Sequence, residues 1–185
     1  RIAMYREPSF EYRDIPSNLP EDLILEGYFQ SEKYFKDFES EIRKDFTFKE
    51  KPVRSIPRGS CSIHVRRGDY VKLKDYHPLC SLDYYKKAMT LIPSEKYLVF
   101  SDDPSWCEDA FDQENVEVVR GNSAEQDLQL MSLCDNHIIA NSSFSWWGAW
   151  LNASSNKKVV APSEWFGGSS NLDPKDIYCE DWRKI

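Results

Sequence analysis

The chain has 185 residues, with 24 Lys and Arg against 31 Asp and Glu and a net charge of −7; it is long enough for one domain with a real core and too short for two comfortable ones. The acidic balance, with no basic tract, excludes general nucleic-acid binding, which needs clustered cations to neutralise phosphates. No apolar run approaches the roughly 18 residues of a membrane span, and the five cysteines, odd in number and never in a C-x-x-C pair, spell neither a zinc motif nor a disulfide framework.

Cysteine usage of this kind fits a reducing, cytoplasmic setting. The chain opens at Arg1 with nothing resembling a signal peptide, as a fragment or trimmed chain would. Residues 1–27 carry Pro8, Pro16 and Pro20 among aromatic and acidic side chains and read as extended, turn-rich chain. After Gly27, Ser31 caps a helix whose Phe35, Phe38, Ile42 and Phe46 fall at spacings of three and four, predicting one buried stripe that ends near Lys51-Pro52.

From Ser60 the pattern becomes strand and helix in alternation. Cys61, Ile63 and Val65 point one way and Ser62, His64 and Arg66 the other, a period of two that ends at Gly68. A helix follows from Ser81 through Tyr84, Ala88, Leu91 and Ile92. Tyr97–Phe100 is a short apolar strand, and Asp103-Pro104 is a cap followed by a first-turn proline. Val116–Val119 is a third strand, and Ser123-x-x-Gln126 is a capping box that opens a helix bearing Leu128, Met131, Leu133 and Cys134. His137–Ala140 is a fourth strand, Ser142 and Ser143 precede an aromatic helix over Phe144–Leu151, and Val159–Ala161 is a fifth strand. The remaining turn-rich tail reads as folding back on the domain. Five short strands alternating with helices predict a doubly wound α/β fold with a parallel sheet covered on both faces.

Ligands of such sheets bind beyond the carboxyl ends of the strands. The polar loops lie there: Arg66 to Asp69, Ser101 to Asp103, and Asn141 to Ser143, all expected to face one crevice. His64 and Arg66 share a strand face, and a guanidinium fork matches phosphate oxygens two at a time, so the natural guest is a diphosphate. Ser142 and Ser143 add hydroxyls and N–H groups where the next helix dipole favours an anion. Asp69 is open to two roles, a general base or a partner pinning Arg66 or Arg67. Asp103 is explained by capping, which leaves Asp102 between a structural and a ligand-facing reading, and with no D-x-D spacing beside it no metal site is expected. Asp127 sits inside a helix, where Asp is a poor helix former; it is open to reading a guanine edge or to lying on a solvated face. His77 and His137 read as packing or surface histidines.

His64-Val65-Arg66-Arg67-Gly68-Asp69, Ser101-Asp102-Asp103-Pro104 and Asn141-Ser142-Ser143-Phe144-Ser145-Trp146-Trp147-Gly148-Ala149-Trp150-Leu151 together resemble the bacterial α-1,2-fucosyltransferases of glycosyltransferase family 11, and Gly27–Phe35 is similar to that family's interdomain segment. The resemblance implies a GT-B-like enzyme that moves L-fucose from GDP-β-L-fucose to the 2-hydroxyl of a galactoside, inverting the anomeric centre without a metal or cofactor. It implies that Arg66 binds the donor diphosphate and is critical for activity. It also implies that Asp127 reads guanine, that Ser142 and Ser143 hold the phosphates, and that His64 touches the nucleoside. The family begins with a further nucleotide-fold domain bearing G-G-L-G-N-Q, a stretch absent here. Residues 1–59 are therefore expected to be the interdomain linker segment and helix, and 60–185 the Rossmann-like donor domain. The family's setting in surface polysaccharide assembly leaves association with the inner face of a membrane open. The competing readings are a non-catalytic nucleotide-sugar or glycan-binding module that uses Trp146, Trp147 and Trp150 as sugar platforms, and a fucosyltransferase of other regiochemistry. A short helix aromatic all round is normally buried, which disfavours the module.

Overall fold

The structure is a computed structural model that describes residues 2–185. The first 27 residues are more regular than their prolines suggest. β1 (Ala3–Arg6) pairs in parallel with β2 (Leu23–Glu26). The helix expected after Ser31 is broken. Ser31 does cap, accepting from the Lys33 N–H, but it opens two successive 3-10 turns, Glu32–Tyr34 and Lys36–Phe38, before α1 (Glu39–Asp45). Phe38 and Phe46 stay exposed, so the expected single buried stripe does not form; Phe35 and Phe46 instead stack on Trp147 at 5.7 and 5.1 Å.

The main sheet begins at β3 (Ser60–Val65) and continues with α2 (Leu82–Leu91), β4 (Lys96–Ser101), α3 (Pro104–Ala110), β5 (Val116–Val118), α4 (Ala124–Ser132), β6 (Asn136–Ile138), α5 (Ser143–Leu151), β7 (Val159–Ala161) and β8 (Arg183–Lys184). Its order is β5-β4-β3-β6-β7-β8 and every pairing is parallel. All five strands expected from the sequence are present. β8 adds an edge, so the tail does fold back. The chain winds outward from β3 through β4 to β5, crosses over α4, then winds the other way from β6. This is the Rossmann order, with its switch point between β3 and β6.

Strand alternation sorts the core into layers. Cys61, Ile63 and Val65 join Tyr97, Val99, Ile138 and Val160 beneath α2 and α3. On the other face Leu98 and Phe100 meet Leu130 and Met131 of α4. Beside them Ile139, Val159 and Ala161 meet Trp146, Ala149 and Trp150 of α5 and Trp165, Ile177 and Trp182 of the tail. Each such large side chain contributes about 1.5–3 kcal/mol of burial. The helix starts carry local chemistry: Ser81 accepts from the Tyr84 N–H, Asp103 from the Trp106 N–H, and Ser123 with Gln126 completes a capping box.

One polar cluster is locked inside the sheet. His137 is fully buried. Its Nδ1 lies 2.8 Å from Ser62 Oγ, and the Asn152 amide donates to Nε2 at 2.8 Å and to the Cys134 carbonyl at 2.7 Å. Nε2 therefore accepts and Nδ1 carries the proton, donating to Ser62. Burial, helped by Lys157, holds the His137 pKa down at about 3; burial and Arg66 do the same to His64, also at about 3.

Two neutral buried histidines make stability pH-dependent. Their folded pKa values lie below the ordinary 6.5, so the unfolded chain takes up protons first, and stability present above pH 6.5 is lost as pH falls toward 3. At pH 5.5 each costs about 1.4 kcal/mol relative to neutral pH. The urea midpoint should fall between pH 7.5 and 5.5, and His137→Gln should show about half that fall; a midpoint unchanged across this range would contradict the account.

Candidate active site

β3 is buried along its whole length, and the chain first becomes polar and accessible just past Val65. There Arg66 and Arg67 diverge. The Arg67 guanidinium bonds Asp103 at 3.0 Å and lies 4.1 Å over the Trp106 ring, while its backbone N–H donates to Asp102 Oδ1 at 2.9 Å. Its contacts tie the strand end to α3, and the Arg67 bond holds the Asp103 carboxyl below the usual range. Arg66 turns the other way and is held by two carboxylates, Asp69 at 2.5 Å and Asp102 at 2.9 Å, with the Tyr70 ring 5.3 Å beneath it.

Arg66 and His64 line one side of an open cleft of about 290 Å³, facing Asp127, Ala124 and Phe144, with Phe100, Ser101 and Asp102 along its wall. The sequence thus placed His64, Arg66, Asp102 and Asp127 together. His64 is 5% exposed, its ring is 5.4 Å from Phe144, and its Nδ1 is buried with no hydrogen-bond partner. Asp127 is half-buried at the start of α4; burial raises its pKa, opposed by one bond from the Asn122 amide at 3.0 Å. A desolvated carboxylate with a single donor has acceptor capacity left for a ligand.

The serine loop departs from expectation. Asn141 is buried, and its amide donates to the carbonyls of Pro78 at 2.9 Å and Trp165 at 3.1 Å, so it clamps two loops while lining a neighbouring recess and not the Asp127 cleft. Ser142 is buried and makes no side-chain cap, and exposed Ser143 lines a neighbouring recess instead of the Asp127 cleft. Phe144 is the loop residue that reaches the cleft. The three polar loops therefore serve two adjoining hollows, separated by the first turn of α5, and not one crevice. Phe144 was missed because an aromatic beside three Trp reads as core. Two of those Trp are core: Trp146 and Trp150 are buried, the Trp146 indole donates to the Ile177 carbonyl, and Arg43 stacks on Trp150 at 4.0 Å, while Trp147 is half-buried beneath Phe35 and Phe46. Each arginine is already paired with carboxylate, and Asp69 holds Arg66, one of the two roles left open for it.

Gly68 makes this packing possible. A Cβ there would sit 2.4 Å from Asp102 Oδ2, the oxygen that holds Arg66.

Among the described residues no three His, Cys, Asp or Glu side chains gather into a group able to hold a metal ion, and no helix is long and apolar enough to cross a membrane.

A Rossmann-ordered sheet with a cleft beside its crossover, lined by an arginine, a buried imidazole and a half-buried carboxylate, defines the class of doubly wound α/β domains with a site at the strand ends. Within that class the family is specific. The family model described as glycosyl transferase family 11 matches residues 3–185, and the chain belongs to that family. It is 44% identical over 120 residues to the O-antigen biosynthesis glycosyltransferase WbnK of Escherichia coli, covering 59% of this chain and 40% of that protein. It is 36% identical over 178 residues to an Escherichia coli alpha-1,2-colitosyltransferase, covering 86% of this chain and 61% of that protein. A Caenorhabditis elegans galactoside 2-alpha-L-fucosyltransferase is 31% identical over 156 residues, covering 70% of this chain and 43% of that protein. The chain thus spans between about two fifths and three fifths of the length of these relatives. A crystal structure of POFUT1 in complex with GDP superposes at a TM-score of 0.48 and 12% identity, covering 76% of this chain and 56% of that one.

Gly68→Ala should displace Asp102 and loosen Arg66 while leaving the fold intact. A crystal structure of the variant should show the Arg66–Asp102 pair opened with an unchanged urea midpoint; a pair still closed would show that Gly68 does not set it.

Proposed function

We propose that this chain binds GDP-β-L-fucose in the Arg66–Asp127 cleft and, in the full-length protein, transfers L-fucose to the 2-hydroxyl of a terminal galactoside with inversion. The observation that carries the reading is the pairing, across one cleft, of an arginine at the end of β3 with an underused, desolvated carboxylate on α4. A guanine edge offers two adjacent N–H donors, which match Asp127. Arg66 offers a fork for phosphate oxygens. Adenine and uracil lack the paired donors and would leave a half-buried carboxylate under-satisfied, which costs at most about 1–3 kcal/mol. The unpartnered Nδ1 of His64 supplies a further contact to the nucleoside.

The ion pairs around Arg66 give the reaction an order. An incoming diphosphate competes with Asp69 for the guanidinium and displaces it, while Asp102 keeps the arginine aimed. The released Asp69 carboxylate is then free to accept the proton of the galactoside 2-hydroxyl as its oxygen bonds to fucose C1. The bond from C1 to the phosphate oxygen breaks and its electron pair leaves with GDP. Negative charge grows on the β-phosphate as this happens, so a preset arginine stabilises the transition state more than the bound substrate. In this reading Arg66 supplies the charge stabilisation and no metal or cofactor is called on. Ser142, buried, and Ser143, in the neighbouring recess, have no part in this reading. Association with a membrane face is kept as part of the proposal for the full-length protein, and nucleic acid has no place in it.

Titration with GDP, UDP and ADP tests the donor reading. GDP should be preferred; Arg66→Ala should weaken it by about 2 kcal/mol, near 30-fold, and Asp127→Ala should bring GDP down to the level of ADP. Equal affinity for all three nucleotides would refute the guanine role. Asp69→Asn separates its two roles: GDP should bind 2- to 5-fold tighter once an exposed pair worth about 0.5–1 kcal/mol is gone, while fucosyl transfer by the full-length protein falls at least 100-fold. Retained turnover would remove Asp69 from the chemistry.

A further inference from the structure

Beyond the nucleotide cleft lies a second hollow, of about 220 Å³, that the donor account does not use. Tyr70 belongs to its wall and also lies beneath Arg66, so the hollow begins where the diphosphate would end. Ser143 forms part of its floor, and an adjoining hollow of about 270 Å³ shares Tyr28, Gln30, Ser143 and Trp165 with it. Two properties distinguish it. One wall is a sheet of rings: His77 stacks flat on Tyr70 at 4.6 Å and 11°, and Phe166 meets His77 at 6.3 Å. Of the polar side chains that line it, Asn141 and the Tyr70 hydroxyl are bonded within the protein, whereas half-buried Gln30 and His77 and exposed Ser143 are uncommitted.

The opposite wall is held rigidly. Glu7 accepts from the Tyr28 N–H at 2.7 Å and from the Phe29 N–H, and the Tyr34 hydroxyl donates to it at 3.2 Å. This fixes a turn in which Phe29 takes φ of 48°, a left-handed conformation that a bulky residue rarely adopts. The turn presents Tyr28 and Gln30 to the hollow. A Cβ on Gly27 would strike Glu7 at 2.4 Å, so the turn needs glycine there.

Flat aromatic faces carry negative potential that suits the positive C–H face of a sugar ring. Amide, imidazole and hydroxyl groups at the edge suit its hydroxyls, and the hollow itself carries no arginine or carboxylate that would call for an ion. We infer that this hollow binds a neutral pyranose ring beside the diphosphate. The ring has two sources, the fucosyl unit of the donor or the galactose of the acceptor, and naming them rests on the donor reading above.

Saturation-transfer NMR with methyl β-galactoside, and parallel titrations of GDP and GDP-fucose, would be run on this chain, His77→Ala and Gln30→Ala. Retained GDP binding certifies that each variant is folded and separately reports whether the donor reading stands. If the ring is the acceptor, methyl β-galactoside gives ring-proton signals that fall at least 5-fold in both variants. If it is the fucosyl unit, GDP-fucose binds tighter than GDP and the advantage disappears in both variants. Galactoside binding without GDP binding would uphold the hollow and remove the donor reading. No galactoside signal together with equal affinity for GDP and GDP-fucose would overturn the inference, as would sugar binding that both variants leave unchanged.

Discussion

Everything in this domain depends on β3 having no exposed side. Its edges are paired to β4 and β6, its two faces are covered by helices, and each of its six residues is buried. A strand enclosed in this way can carry charge only after its last residue, so Arg66 and Arg67 emerge where the sheet stops. The neighbouring strand order reverses at the same place, which keeps the ends of β3 and β6 from being covered by a shared helix and leaves the cleft. Function is confined to that edge by burial before any side chain is chosen.

Within the edge, charge pairing assigns the work. Arg67 bonds Asp103, itself the cap of α3, and stacks on Trp106 from the same helix; its energy goes into fastening β3 to α3. Arg66 carries two acids on a half-exposed site, a bond set that water and salt weaken and that an anion can enter. Adjacent arginines in one motif thus play unlike parts. The difference lies in what each touches: a capped helix for one, a turn closed by Gly68 for the other.

Much of this was legible in the sequence because the signals are local. The five central strands are short apolar runs between turns, and the caps at Ser81, Asp103 and Ser123 are spelled within four residues. His64, Arg66 and Asp102 could be gathered because strand ends of a doubly wound sheet converge by topology, and Asp127 stood out as a poor helix former inside α4. The readings that missed depend on distant partners. β1 and β2 pair across an irregular stretch, and two residues of β8 become a strand only through β7. Phe46 has helical spacing, but its partner is Trp147, a hundred residues away. Asn141 reads as a ligand-facing polar residue until Pro78 and Trp165 are seen to claim its amide. His77, read as a packing or surface histidine, does pack, lying flat on Tyr70.

The chain belongs to glycosyltransferase family 11, and under the proposed fucosyl transfer the geometry divides the work among its residues. The central claim is an exchange at one guanidinium, in which phosphate takes the place of Asp69 while Asp102 stays. A crystal structure of the chain with GDP tests this most directly. The account predicts phosphate oxygens on Arg66 Nη2, Asp69 turned away, the Arg66–Asp102 pair intact and the guanine edge on Asp127. GDP seated elsewhere, or bound with the Arg66–Asp69 pair still closed, would contradict it.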